Sequence, residues 1–281
     1  MNSPERQSTR FAEWNIESGG FEGYDVTSLS PHFLPEIIEG IRSFHADFVT
    51  LVDTFRWDSL YSQEQLQTMF KYKHAYCINL NDDRLKKLGH NNGITVLSNS
   101  DTVKFQTVSL GTRDAIKTSL KIDDKPVDIF SVYLDDVAEK RRMQQLAALM
   151  QHIEPGKHTI ITGDFNSLAD RDIEYVQKTF QRIYRYLPRR LKHRVYSVES
   201  KIAHRGTIQL IKSHGFVDMA ASNVQPITPT KKFSRLISPF LRFDYAFGTP
   251  NIVVASTWVV RGDLFDRTSD HYPFIVDINA K

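Results

Sequence analysis

Cysteine is almost absent: the 281-residue chain contains one, Cys77. An intrachain disulfide is excluded, and so is a cysteine-rich metal centre. A reducing compartment such as the cytoplasm is the expectation that follows. No apolar run approaches the ~20 residues that a membrane-crossing helix needs. The opening stretch MNSPERQSTR has no apolar core, so it does not read as a secretion signal. Internal repeats, low-complexity tracts and a clear linker are also lacking, which favours one domain over 1–281. Strong charge of one sign is missing too, since the net charge is only +3. That average hides an asymmetry. Between Arg171 and Arg205 stand ten Lys or Arg against three Asp or Glu, a local +7 that leaves about −4 elsewhere.

What is present is a series of short apolar, β-rich runs bounded by Gly, Asn, Asp or Pro, as strands are. They are Phe48–Val52, Ile94–Leu97, Val127–Leu134, Thr159–Thr162, Phe243–Phe247, Ile252–Val260 and Phe274–Ile278. Helical periodicity covers Leu34–Phe44, Val137–Ile153 and Thr207–Ser213, the last ending near Gly215. An amphipathic helix broken at Pro188 is expected after Asp170. Most consecutive strands have no helix between them, which argues against a doubly wound parallel sheet. Two packed sheets with outer helices fit better.

Five segments carry groups suited to chemistry. In TIITGDFN, Asp164 and Asn166 follow a buried run, with Gly163 read as a turn residue. A carboxylate can take a proton from water, and an amide can donate to a phosphate oxygen; Asp and Asn are also ordinary turn residues. In TSDHYP, Asp270 and His271 precede a buried strand, where an imidazole is easily tuned. In RFDYAF, Asp244 is a charge within an apolar run. It pairs with Arg242, or else it orients a catalytic imidazole. In FAEWNIESG, the spacing of Asn15 and Glu17 places both on one face of a strand, and in FVTLVDT a β-run ends in Asp53. Hard divalent cations prefer such oxygen ligands.

Taken in this order, these five pieces resemble the endonuclease/exonuclease/phosphatase superfamily, from Phe11 to Ile278. GDFN and SDH with an RxDY-type element between them carry the resemblance. It implies an α+β fold: a four-layer α/β/β/α sandwich of two packed mixed sheets flanked by helices, with the site at one rim. It also implies roles. Asn15 resembles the asparagine near metal and phosphate, and Glu17 a second acidic position found in some members. Asp164 resembles the aspartate that activates water, Asn166 the amide that steadies phosphate, and Asp244 the partner of the catalytic histidine. Asp270 and His271 resemble the terminal Asp–His pair, and Gly93 a glycine opening a strand. Two positions depart from the pattern. Asp53 stands where the family usually has glutamate, and Tyr133 stands where a histidine is common. Tyr133 is either a phenol donating to phosphate or a core aromatic. Arg141 or Arg142, with Gln144 or Gln145, also resembles a family pattern at a helix start, read here as surface or structural groups.

The expectation is a phosphoesterase dependent on Mg²⁺, with Mn²⁺ as the alternative. The metal ligands would be Asp53, Asn15, Glu17 and Asp270, and the catalytic groups Asp164, Asn166, His271, Asp244 and Tyr133. The favoured substrate is a nucleic-acid phosphodiester, held in part by Arg189, Arg190, Lys192 and Arg194 in a basic insertion at 171–205. The alternatives are a small or lipid phosphate and a non-catalytic binding protein of the same fold.

Overall fold

The computed structural model describes residues 8–24, 27–28, 30–186, 205–220, 230–232 and 241–280. Runs rich in Val, Ile, Phe and Thr suit a pleated, half-buried surface and form twelve strands among these residues. One sheet contains β1 (Thr9–Asn15), β2 (Phe48–Val52), β3 (His74–Asn79), β4 (Gly93–Ser98), β11 (Ile252–Val259) and β12 (Phe274–Ala280). Its order is β11-β12-β1-β2-β4-β3. The other contains β5 (Lys104–Ser109), β6 (Asp114–Ile122), β7 (Lys125–Tyr133), β8 (His158–Asp164), β9 (Val217–Asp218) and β10 (Asp244–Gly248), in the order β5-β6-β7-β8-β10-β9. Only β1–β2 and β7–β8 run parallel; the other neighbours are antiparallel.

Three apolar layers follow from this pairing. Phe11, Phe48, Val96, Ile129, Ile160 and Val276 meet between the sheets. Outside the first sheet, Trp14, Val49 and Leu51 pack on Ile37 and Ile41 of α1 (Leu34–Ser43), Trp57 of α2 (Trp57–Leu60) and Leu66 and Phe70 of α3 (Gln63–Phe70). After α4 (Asp83–Lys87) the second sheet takes its own helices. Leu146 and Leu149 of α5 (Glu139–Met150) and Ile208 and Ile211 of α7 (Gly206–Ser213) cover Phe130, Ile161 and Phe247. The result is the α/β/β/α sandwich. At α5, Arg142 bonds Glu139 and the Asp135 carbonyl, and Gln145 bonds Asp135 and Thr112, so both buried groups are structural. The longer α6 (Asp170–Tyr186) buries Ile173, Val176 and Phe180 against Leu241 and Phe243. Arg189, Arg190, Lys192 and Arg194 lie outside the described residues.

Three local readings are settled against the sequence. Gly163 is not a turn residue after its strand. It lies inside β8 with φ +139°, and a Cβ there would sit 1.9 Å from the Val132 carbonyl oxygen of β7. The glycine is required by that close approach. Glu17 does not share a strand face with Asn15, because β1 ends at Asn15 and Glu17 turns off at φ 41°. Arg242 is fully buried and bonds Asp172 at 2.9 Å and Asp218 at 2.6 Å, so it is not the partner of Asp244. Breaking such a buried pair destabilises by roughly 3–5 kcal/mol.

Candidate active site

Strand register lines up the first groups. Tyr133 of β7 is opposite Asp164 of β8, and Asp164 is opposite Asp244 of β10. From the other sheet, β1 delivers Asn15, whose Nδ2 donates to Asp164 Oδ2 at 3.0 Å. The backbone N–H of Asn166 donates to Asp164 Oδ1 at 2.8 Å, an Asx turn that holds the carboxylate from below. The Asn166 side chain spends one N–H on the Leu134 carbonyl at 3.1 Å. His271 Nδ1 lies 2.7 Å from Asp244 Oδ2, and its Nε2 is 3.9 Å from Asp164 Oδ2. The His271 backbone is fixed by Ser269 Oγ and by the Trp14 indole. Ser269 Oγ in turn donates to the Asn15 carbonyl at 2.7 Å.

The acidic rim joins the same set. Glu17 N–H donates to Asn15 Oδ1, and Glu17 Oε2 accepts from Asp270 N–H at 2.9 Å. Asp53 is buried at φ 60°. Its Oδ2 accepts from Ser18 N–H at 3.1 Å and Tyr24 O–H at 2.9 Å, and its Oδ1 from Asn92 Nδ2. Tyr133 is buried against the inter-sheet layer, with the Arg113 guanidinium 5.0 Å from its ring centre. Seven of the nine residues singled out in the sequence are joined by hydrogen bonds or ion-pair contacts; Asp53 lies within reach of the Asp270 and His271 charges, and Tyr133 stands beside Asp164 in register.

Burial, with the Asp244 charge behind it, pushes the Asp164 carboxyl up to about 7 against the pull of His271. Burial also raises Asp53 and Glu17, and the Asp270 charge raises both further. Asp270 itself would be raised by burial, but His271 and Lys231 hold it below the ordinary carboxylate range. Burial weakens the hold of His271 on its proton, yet Asp244 outweighs this and the imidazole lies above its usual value. Burial keeps the Tyr133 phenol protonated well above its usual range, with the Asp53 charge adding to the effect.

The sign of the resulting pH dependence is fixed. From the ordinary aspartate value up to about 7, folded Asp164 holds a proton that the unfolded chain has released. Its stabilisation is full below that window and is lost as pH rises through it. Asp53, Glu17 and His271 act in the same direction, and the Asp270 effect belongs to lower pH. The metal-free protein should lose about 5 °C or more in Tm from about pH 5 to about pH 8, given ~1.4 kcal/mol per pKa unit and roughly 2–4 °C per kcal/mol. Calorimetry checks this, and Mg²⁺ should restore more stability at the higher pH.

The donors suit a hard divalent ion. Asp53, Glu17 and Asp270 are oxygen donors on the same rim, and Asn15 adds an amide oxygen, but among the described residues these three carboxylates are not drawn together as closely as Asp164, Asp244 and His271 are. Asp53, one methylene shorter than glutamate, is held by three neutral donors that leave its charge uncompensated. Asp164, Asp244 and His271 also bring ligand atoms within 4.8 Å of one another.

Sequence reasoning missed Glu13, Tyr24, Asn92 and Lys231. Glu13 is buried on β1, and neither of its carboxyl oxygens has a hydrogen-bond partner among the described residues. Burial pushes it well above its ordinary value, and Asp244 and Asp164 add to the shift. A lone charge inside an apolar strand was its only signal. Lys231 donates to Asp270 and to His271 Nε2 at 2.8 Å, from a segment with no motif.

A family model described as "Endonuclease/Exonuclease/phosphatase family" matches residues 12–271. No curated protein sequence matches. Among solved structures, an endonuclease/exonuclease/phosphatase from Beutenbergia cavernae is similar with TM-score 0.68 and 17% identity, over 98% of this chain and 72% of that one. An AP endonuclease from Archaeoglobus fulgidus gives TM-score 0.62 and 15% identity, over 95% of this chain and 98% of that one. D. rerio TDP2 complexed with single-strand DNA product gives TM-score 0.58 and 17% identity, over 98% of this chain and 100% of that one. At these identities the likeness is one of fold. No helix among the described residues is long and apolar enough to cross a membrane.

Proposed function

This chain belongs to the endonuclease/exonuclease/phosphatase family, whose members hydrolyse phosphoester bonds, and from that premise we propose that it cleaves a nucleic-acid phosphodiester by in-line attack of an activated water. The observation that carries the reading is the run Asn15–Asp164–His271–Asp244, in which a carboxylate titrating at about 7 lies 3.9 Å from an imidazole backed by a second carboxylate. A base whose pKa lies near the working pH is suited to taking a proton from water. Asp164 takes that proton, with the Asn15 amide fixing its Oδ2. His271, oriented by Asp244, donates to a phosphoryl oxygen. Tyr133, kept protonated by burial, and the remaining N–H of Asn166 add donors.

Asp53, Glu17 and Asp270, with the Asn15 oxygen, would hold a divalent ion. When bound, it polarises the phosphoryl group and offsets developing negative charge. Support for nucleic acid comes from the basic stretch Arg171–Arg205 and from the AP endonuclease and DNA-bound TDP2 relatives.

The test is a substrate panel of plasmid, abasic duplex, single-stranded RNA, sphingomyelin, inositol phosphates and an aryl phosphodiester, with Mg²⁺ and with excess EDTA. Nucleic-acid turnover that EDTA abolishes is expected. Turnover confined to sphingomyelin or inositol phosphates would move the substrate to lipid or small phosphates. Turnover of nothing, with no Mg²⁺ bound, would leave a non-catalytic binding protein.

A further inference from the structure

Both ring nitrogens of His271 are engaged. Nδ1 faces Asp244 Oδ2 at 2.7 Å, and Nε2 lies 2.8 Å from Lys231 Nζ. An ammonium can only donate, so in this arrangement Nε2 accepts and the ring proton sits on Nδ1. Lys231 also donates to Asp270 Oδ2. Two of its three N–H groups are thereby used. The side chain is 25% exposed, so the third is within reach of a ligand in the site.

Lys231 is not a wandering surface lysine. Its backbone N–H donates to the Leu241 carbonyl at 3.0 Å, and Lys232 N–H donates to the Asp270 carbonyl at 2.8 Å. Tyr272 N–H donates to the Thr230 carbonyl, and Thr230 Oγ1 accepts from the backbone N–H groups of Phe243 and Asp244. Lys232 Nζ donates to the carbonyls of Phe265, Asp266 and Ser269, at and just beyond α8 (Asp263–Thr268). The tripeptide Thr230–Lys231–Lys232 is thus pinned to the segments that carry Asp244 and His271. Burial opposes a charge on Lys231, but Asp270, Asp164 and Asp244 keep it an ammonium.

Asp164, Asp244 and His271 are near enough to share an ion. Yet the ring nitrogen not facing Asp244 is the one Lys231 occupies. We propose that Lys231 is a phosphoryl-binding residue whose ammonium stands where a second divalent ion would otherwise sit, so that one ion, on the Asp53–Glu17 side, serves the site. This rests on the phosphoesterase reading above. An entering phosphoryl oxygen draws the Lys231 ammonium off His271 Nε2, so that the ammonium and the ring, protonated on Nε2, both donate to it, and no bond to the protein is made or broken. Charge-assisted hydrogen bonds of this kind contribute about 1.5–3 kcal/mol, or roughly ten- to a hundred-fold in affinity.

The experiment is calorimetric titration of the full chain with Mn²⁺, and then with inorganic phosphate at saturating Mn²⁺. It compares wild type, Lys231→Met and Lys231→Arg, each with its Tm recorded. Expected are one ion per wild-type chain, phosphate binding at least about ten-fold weaker in Lys231→Met, and most of that loss recovered in Lys231→Arg. Two ions on the wild type overturn the proposal, and that readout stands even if Lys231→Met does not fold. Undiminished phosphate affinity in a folded Lys231→Met also overturns it. If the wild type still hydrolyses a phosphoester in that case, only the role of Lys231 falls. A wild type inert on the whole panel removes the phosphoesterase reading and this proposal with it.

Discussion

Asp164→Asn should lower kcat by at least about 10²-fold, the usual scale for losing a positioned acid–base group, while leaving the protein folded. The amide keeps the shape and an acceptor for the Asn166 backbone N–H, but it cannot take a proton from water. It does lose one contact, because its NH₂ would face Asn15 Nδ2, which now donates to Asp164 Oδ2. Against that loss, a fully buried charge disappears, one whose carboxyl is pushed up to about 7 by burial. Removing an uncompensated buried charge favours the folded state. The Tm of the metal-free variant at about pH 8 should therefore be no lower than wild type. Steady-state kinetics beside calorimetry separates the two effects. A folded variant with wild-type kcat would refute the role of Asp164 as base.

Asp244→Asn should cost about 10²-fold or more in kcat/KM and displace the pH profile. Asp244 is the charge that lifts His271, and it is also the leading charge that lifts Asp164. Without it both groups fall toward their ordinary values. The acid limb set by Asp164 and the alkaline limb set by His271 should both move to lower pH. A residue that only braced the fold would lower the rate without moving either limb. The profile of kcat/KM against pH, at saturating metal, is the measurement. Unmoved limbs would detach Asp244 from both partners.

The parts of the site legible in the sequence are those at strand ends, where a polar residue interrupts an apolar run. Asp164, Asp244 and Asp53 stand out for that reason, and the register of β7, β8 and β10 then sets Tyr133, Asp164 and Asp244 side by side. The strands missed were β3, β5, β6 and the two-residue β9. In β5, KFQTVS buries only Val108 fully, so the edge strand has little apolar pattern to read. Lys231 was hidden for a different reason. Its role depends on backbone bonds to residues in the 240s and 270s, which no local pattern encodes. Arg242 and Asp244 are two apart in sequence and were natural partners, but Arg242 precedes β10, which begins at Asp244, so no shared strand face pairs them. Arg242 turns to Asp172 and Asp218, and Asp244 turns to His271.

The placement of β12 between β11 and β1 governs when the site can exist. A ribosome that has finished β10 has already made Asn15, Asp53, Asp164 and Asp244, but neither Asp270 nor His271. The nascent chain then lacks the imidazole, with β1 bare along the edge that β12 will cover and Arg10 lacking its Asp277 partner. Translation thus withholds the imidazole until β11 and β12 dock. The same arrangement makes the loop at Pro250 a natural place to cut the chain into two pieces, neither of which holds the whole candidate site, and their reassembly is read out by the proposed phosphoester cleavage.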